Sequence, residues 1–203
     1  PFTFEFDGDT YTSIYINING NISFNAPIST YSPSGFPLMT PMIAPLWQDV
    51  DTRCADCGYI DYGFIGNDAI VVSWNSVGYY DQQSDKVNTY QVILSNGNYS
   101  GIPGNVRFNY GIIEWTTGSA SGGVDGFGGS GAVSGINAGG TDGLYLQSSY
   151  YDDSSVSDLN CTTVDFNVAT SVVISPVCQD ATITLVMNDN GTPNDSSDDF
   201  IDD

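Results

Sequence analysis

Histidine is absent from the 203-residue chain. Ser-His-Asp and Cys-His nucleophile systems need an imidazole as general base, and histidine is a common ligand of zinc and copper. Those enzyme classes and any zinc or copper site that contains histidine are therefore excluded. A glycosidase could still use a carboxylate pair such as Glu114 and Asp125, but such pairs are unavoidable among 24 acidic residues. The sequence marks no pair as special, so we predict that the chain is not an enzyme.

Basic residues are nearly as scarce, since three Lys and Arg face 24 Asp and Glu, for a formal net charge of -21. Nucleic acids and anionic lipids are bound mainly through Lys and Arg, so both are excluded as partners. Such a surface attracts cations, and Asp-rich loops suit calcium. The alternative is that the charge serves solubility alone.

Long apolar runs and helix-forming residues are also scarce. No run approaches the ~18 apolar residues of a membrane-spanning helix, and no charged-then-apolar leader opens the chain. We therefore expect a soluble chain without direct membrane insertion. The glutamates are limited to Glu5 and Glu114, whereas Gly, Asn, Ser, Thr, Tyr, Val and Ile are plentiful. This composition is typical of strands and turns.

Alternation of apolar and polar residues predicts the first strands. Residues 2–7 place three phenylalanines on one face, which is the period of a half-buried strand. Residues 11–18 continue this pattern up to Asn19-Gly20, a pair that favours a tight type I′ hairpin turn. Residues 21–25 are then expected to form the returning strand.

A proline-rich segment at residues 26–41 predicts an irregular loop, because neither a helix nor a central strand tolerates its four prolines. Further strands are predicted at 59–65, 69–77, 89–94 and 106–115, with turn-forming residues between them. Short strands without helical periodicity favour an all-β fold. We predict an antiparallel β-sandwich with long Gly/Ser/Pro-rich loops and a C-terminal strand-bearing extension.

Residues 42–52, with the sequence MIAPLWQDVDT, run from an apolar stretch into Asp49 and Asp51. Burial is expected on one side of this segment and charge on the other. Alternate residues of an extended segment share a face, so the two carboxylates are expected to point the same way and to repel each other. A bound cation would relieve the repulsion. A solvated turn after a buried strand is the alternative.

Residues 116–143 are rich in Gly and Ser, which fits either a flexible loop or a tight set of turns. A strand is predicted within the segment at 132–136, so the segment connects parts of one domain. We place the domain boundary after Asn160, where the composition changes. This gives a β domain at 1–160 and an extension at 161–203.

The extension combines a predicted strand at 182–187 with an acidic segment at 188–203. Oxygen-bearing side chains at near-alternate positions around a glycine suit a calcium loop, although the spacing is not that of an EF-hand. An acidic disordered linker is the alternative. The predicted calcium ligands of the whole chain are Asp49, Asp51, Asp189, Asn190, Asp195, Asp198 and Asp199.

Four cysteines predict two disulfides, Cys54 with Cys57 and Cys161 with Cys178. A zinc site built from all four thiolates is one alternative, but the last two cysteines lack a matching short spacing. A redox-active Cys-x-x-Cys is the other. Neighbouring acidic residues would disfavour its thiolate.

Six segments carry a family resemblance. They are YININGNISF at 15–24, MIAPLWQDVDT at 42–52, VSWNSVGYY at 72–80, NTYQVIL at 88–94, VRFNYG at 106–111 followed by Trp115, and AVSGIN at 132–137. In this order they resemble the blocks of the nidogen-like (NIDO) extracellular domain, over about residues 2–150. The resemblance implies a secreted or surface-exposed module of matrix and adhesion proteins, with no known catalytic residues. The cysteine insert at 54–57 departs from the family pattern.

We therefore expect an extracellular structural or adhesive module that is stabilised by calcium. Its tail from Thr182 onward is predicted to complete a neighbouring copy by strand addition, in a fibre or a tandem array. A chain cut at arbitrary limits is the alternative to tail donation. Matrix or surface glycoproteins are the other expected partners.

A calcium-dependent carbohydrate-binding module is the alternative function. Adjacent aromatic side chains could stack on sugar faces, although such pairs are more often one packed and one exposed strand residue. The candidates are Tyr79, Tyr80, Tyr150 and Tyr151.

Overall fold

The computed structural model describes residues 2–140, 145–169 and 173–177. Cys178, the predicted strand at 182–187 and the acidic segment at 188–203 lie outside the described residues. In chain order, the described strands are β1 Phe4–Phe6, β2 Asp9–Tyr11, β3 Tyr15–Asn17, β4 Asn21–Ser23, β5 Met42–Trp47, β6 Val50–Asp51, β7 Tyr59–Ile65, β8 Ala69–Tyr79, β9 Gln83–Ser95, β10 Val106–Ile113, β11 Ala132–Asn137, β12 Tyr145–Tyr151, β13 Thr163–Asn167 and β14 Val173–Val177. Two short 3-10 helices, Ser119–Ser121 and Ser154–Leu159, complete the described regular structure.

These strands form two main sheets and one small hairpin, and every pairing is antiparallel. The larger sheet has seven strands in the order β14-β13-β10-β9-β8-β6, and β7 pairs with the rest of the β8 edge. The smaller sheet has the order β12-β11-β5-β4-β3, and β1 pairs with β2. The prediction of an all-β antiparallel sandwich is confirmed.

The main core lies between the two sheets. Trp74 and Tyr90 of the larger sheet stack with ring centroids 5.1 Å apart, and they share one apolar cluster with Ile22 of the smaller sheet. The Tyr110 hydroxyl donates a hydrogen bond of 2.7 Å to the Pro45 carbonyl oxygen. This bond joins the sheets through a fully buried phenol, which needs such a partner when it leaves water.

Strand β5 is buried on both faces. Ile43 and Leu46 face the core between the sheets, whereas Trp47 belongs to a second cluster that includes Phe36 of the proline-rich loop. The loop covers the outer face of β5, and residues 42–51 are all buried. The expected division of this segment into a buried and a charged side is therefore wrong.

The first hairpins differ from their predictions in two ways. The strand predicted at 11–18 is broken, because β2 ends the hairpin with β1 and the chain then crosses to the smaller sheet as β3. The turn after β3 holds three residues, since Asn17 pairs with Asn21. Within it, Gly20 alone has a positive φ, of 82°, so the turn is not of type I′.

The start of one later strand also differs. β9 begins at Gln83, six residues before the predicted start at 89, because the chain reverses tightly at 80–82 with Gln82 at a φ of 54°. The sequence predicted a domain boundary after Asn160. β13 pairs with β10 and β14 pairs with β13, so the larger sheet continues beyond that position.

Candidate functional site

An apolar groove, the edge groove, opens at the side of the sandwich where β3 and β7 end their sheets. One wall is residues 11–19, which include β3, and the other is formed by Tyr62, Phe64, Ile70 and Leu94 of the larger sheet. The groove has a volume of about 960 Å³. Among the described strands, β3 pairs only with β4 and β7 only with β8. In the part of the chain that the structure describes, both walls therefore end in an open strand edge.

The aromatic wall belongs to an uncovered part of the larger sheet. β7 pairs with β8 along its whole length without a bulge. The strand alternation puts Tyr62 and Phe64 on the face that lines the groove, where their rings meet edge to face with centroids 6.2 Å apart. Their exposed fractions are 62% and 44%, which is high for the inner face of a sandwich. An exposed apolar surface of this kind makes the groove a candidate interaction site.

One end of the groove is polar and holds Asp49, Asp51 and Arg53. The Arg53 guanidinium donates through Nε to Asp51 Oδ1 at 2.9 Å. The backbone N–H groups of Arg53 and Gln82 donate to the same carboxylate at 2.9 and 3.0 Å. These bonds, led by the one from the Arg53 side chain, hold the pKa of Asp51 below its usual value. Arg53 also lies over the ring of Tyr80, 5.4 Å from its centroid.

Asp49 lies beside this ion pair but is held more loosely. Its exposed fraction is 4%, and the Ser121 hydroxyl donates a hydrogen bond to its Oδ2 at 3.3 Å. Burial raises the pKa of Asp49 to about 6, and the neighbouring charge of Asp51 adds to the rise. The two carboxylates therefore ionise at different pH values, which reduces their mutual repulsion in acid.

The predicted metal ligands are only partly described. Within residues 2–140 and 145–169, no group of three His, Cys, Asp or Glu side chains is placed to hold a metal ion. Asp49 and Asp51 are neighbours, as predicted, but Asp51 already binds Arg53. The remaining predicted ligands, Asp189, Asn190, Asp195, Asp198 and Asp199, lie outside the described residues. Calcium binding stays a prediction.

A disulfide joins Cys54 to Cys57, with Cα atoms 5.1 Å apart. It closes the turn between β6 and β7, next to the polar end of the groove. Cys161 is exposed and has no bonded partner within the described residues. Because Cys178 lies outside them, the second predicted disulfide stays a prediction.

The tyrosines predicted to stack on sugars form two separate pairs, each with one more packed member. Tyr79 is buried against Trp115, with ring centroids 5.3 Å apart, and Tyr151 packs partly buried against the main core. Tyr80 lines the polar end of the groove, whereas Tyr150 is 48% exposed beside the Gly/Ser-rich segment. Sugar stacking stays a prediction.

The Gly/Ser-rich segment contains tight turns around Asp125. Val124 and Phe127 form an isolated bridge across this turn, and Asp125 itself is exposed with a φ of 52°. Glu114 is also exposed, and it accepts a hydrogen bond of 2.9 Å from the Val87 backbone N–H. Glu114 therefore links the end of β10 to β9, and Asp125 lies within a turn.

The sequence did not reveal the edge groove. Its walls come from segments that are distant in the chain, and strand periodicity cannot tell which apolar face stays uncovered. The one local signal is the pair Tyr62 and Phe64, which share a face of a correctly predicted strand. Arg53 was likewise missed, although a lone cation two residues after Asp51 was a signal for an ion pair.

Comparison with known proteins identifies the family. The model of the nidogen-like domain family matches residues 12–169. Alpha-tectorin of Mus musculus is 35% identical over 164 residues, which cover 66% of this chain and 7% of alpha-tectorin. Nidogen of Drosophila melanogaster is 31% identical over 144 residues, covering 58% of this chain and 10% of nidogen. The chain thus corresponds to a small part of each relative.

No solved structure matches the chain significantly. The nidogen-like domains of nidogen and alpha-tectorin are modules of the extracellular matrix, and these relatives are structural proteins, not enzymes. The described residues include no helix that is long and apolar enough to cross a membrane. The chain is extracellular. Because the family model matches most of its length, the chain belongs to the nidogen-like domain family.

Proposed function

We propose that this domain is a structural or adhesive module whose copies associate head to tail, in a fibre or a tandem array. The edge groove is the observation that carries the proposal. It combines half-exposed aromatic side chains with two open strand edges, and open edges are templates for another strand. The extracellular matrix context of the relatives supports an architectural role.

Self-association is tested on the purified chain by analytical ultracentrifugation over a wide concentration range, followed by electron microscopy. We expect mass to increase with concentration and periodic filaments with one copy per repeat. Head-to-tail contacts use two different surfaces, so growth should not stop at a dimer. A monodisperse monomer at every concentration would contradict the proposal.

Calcium stabilisation is proposed as part of this function and now depends mainly on the acidic segment at 188–203. A bound ion would offset part of the net charge of -21 and stabilise the state that holds it. We expect a higher melting temperature in millimolar calcium than in excess chelator. Equal melting temperatures in the two conditions would show that the acidic residues are solvated and bind no calcium.

Matrix or surface glycoproteins remain proposed partners, and carbohydrate binding remains the second candidate function. Of the four candidate tyrosines, Tyr80 and Tyr150 are the less packed members of their pairs. A glycan array in the presence of calcium tests sugar binding directly. Binding that is lost on replacing Tyr150 by alanine would support it.

A further inference from the structure

The edge groove lies where one further strand could pair with β3 and extend the smaller sheet. The smaller sheet ends at β3, while the larger sheet continues to β7 and leaves Tyr62 and Phe64 without an opposing strand in the described residues. We infer that residues 182–187 of a second copy occupy this groove as a strand added beside β3. The inference rests on the proposed self-association and names its donor and acceptor.

The donor segment matches the groove in pattern and charge. Its sequence, TITLVM, alternates Ile183, Leu185 and Met187 with residues of the opposite face. An added strand beside β3 would turn one such face towards the aromatic wall. Residues 181–188 contain no charged side chain in a chain of net charge -21. This uncharged stretch can enter an apolar groove without burying a charge.

The length of the chain after β14 assigns the donor to another copy. Val177 stands in one row of directly paired residues that crosses the larger sheet through Thr163, Asn109, Gln91, Ser73 and Asp61. Five inter-strand steps of ~4.8 Å place β7 about 24 Å from Val177. A strand facing β7 lies a further ~10 Å above the sheet.

The covalent reach is shorter than this distance. Six residues separate Val177 from Ile183, and a fully extended chain covers at most about 22 Å in six residues. The distance to a position opposite β7 is about 26 Å when the two offsets are combined. Ile183 therefore cannot pack on Tyr62 and Phe64 of its own copy. The groove of a neighbouring copy is not subject to this limit, because its distance from Val177 is set by how the two copies associate.

The experiment uses two full-length variants that each lose one half of the contact. Tyr62→Glu places a charge on the aromatic wall, and Leu185→Asp places one in the donor segment. Each should weaken association roughly 100-fold, because an unpaired charge is costly in an apolar site. Each variant alone should remain monomeric in analytical ultracentrifugation at concentrations where the unmodified chain assembles. Mixed together, they should form dimers and nothing larger, since only one intact donor–acceptor contact remains.

Each matched control introduces the same charge into the same strand as its test variant, but at a position outside the proposed contact. Tyr59→Glu changes a 52% exposed tyrosine of the same strand, but Tyr59 does not line the groove. Thr184→Asp changes the opposite face of the donor segment. Tyr59→Glu should assemble like the unmodified chain, and Thr184→Asp should be affected less than Leu185→Asp. Melting curves verify folding, and Phe64→Ser replaces Tyr62→Glu if that variant does not fold.

The outcomes separate this inference from the proposed function. Assembly of the unmodified chain with no effect of Tyr62→Glu or Leu185→Asp would overturn the donor and acceptor but keep the function. A mixture that remains monomeric would overturn the complementary contact. An unmodified chain that never assembles would overturn the function itself.

Discussion

Gly20 shows how a single position fixes the approach of two strands. Its φ is 82°, and a Cβ built there would lie 1.9 Å from the Leu46 carbonyl oxygen and 2.5 Å from the Tyr90 hydroxyl. Gly8 has nearly the same φ, 85°, but open space around it. Gly8→Ala should therefore cost only the ~1–2 kcal/mol of a left-handed conformation, whereas Gly20→Ala should cost about 4 kcal/mol or more, because backbone must move.

Urea unfolding of the two glycine variants at one pH measures this difference. The shared φ makes Gly8→Ala a control for backbone strain, so the excess loss in Gly20→Ala reports the clash. Similar losses in both variants would show that the turn can shift away from β5 without cost.

Asp49 predicts a pH dependence of stability. Burial raises its folded pKa to about 6, above the unfolded value of ~3.9. The folded state then binds the proton more tightly, so the contribution of Asp49 to stability falls as pH rises from about 4 to about 6 and is constant above that. Asp49→Asn should remove this loss and stabilise the domain at pH 7 by on the order of 2 kcal/mol, with little effect near pH 4.

Asp51→Asn is the control, and its effect on stability at pH 7 should have the opposite sign. Its folded pKa is lowered by Arg53, so its ionised form stabilises the domain above the unfolded pKa and this contribution is lost as pH falls. Asp51→Asn should destabilise at pH 7. Chemical unfolding of both variants across this pH range tests the pair, and a loss of stability at pH 7 in Asp49→Asn would contradict our assignment.

At the scale of the element, strands were predicted better than the loops that cover them. β7 has the predicted bounds, since its residues alternate and turn-forming residues flank it. The proline-rich loop was correctly expected to be irregular, but its position over β5 depends on contacts that periodicity does not encode. Asn137 of β11 supplies such a contact, and nothing in the sequence distinguishes it from the many other asparagines.

Asn137 predicts how strongly the loop is held. Its buried side chain accepts a hydrogen bond from the Leu38 N–H at 3.0 Å and donates to the carbonyl oxygens of Leu38 and Thr40 at 3.0 and 2.8 Å. Asn137→Ala would leave these backbone groups unpaired, so it should cost about 2–4 kcal/mol. Hydrogen exchange should quicken at Leu38, while the exposed Asn98→Ala should change stability by less than ~0.5 kcal/mol. Unchanged protection at Leu38 would show that apolar packing alone holds the loop.

At the scale of the whole molecule, composition and block order predicted the class of fold and the family. The edge groove could not be predicted in the same way, because it arises from the unequal widths of two sheets. The larger sheet is wider because β7 extends it beyond the position of β3. This difference follows only from the complete order of strands in both sheets. The position of Val177, in the same row as Asp61 but five strands away from it, is equally non-local, and it determines which copy the tail can reach.

Net charge predicts how assembly depends on salt. Two copies that each carry -21 repel each other, while the proposed contact between an uncharged segment and an apolar groove is insensitive to screening. Raising NaCl from about 0.02 M to about 0.5 M shortens the Debye length from roughly 20 Å to about 4 Å. The dissociation constant of self-association, measured by sedimentation, should therefore fall by about tenfold or more. KCl should act equally, since screening does not depend on the cation, whereas an effect confined to millimolar calcium would indicate a specific ion site. Association that weakens with salt would instead show that the copies meet through ion pairs with the three basic residues, and the apolar contact would be excluded.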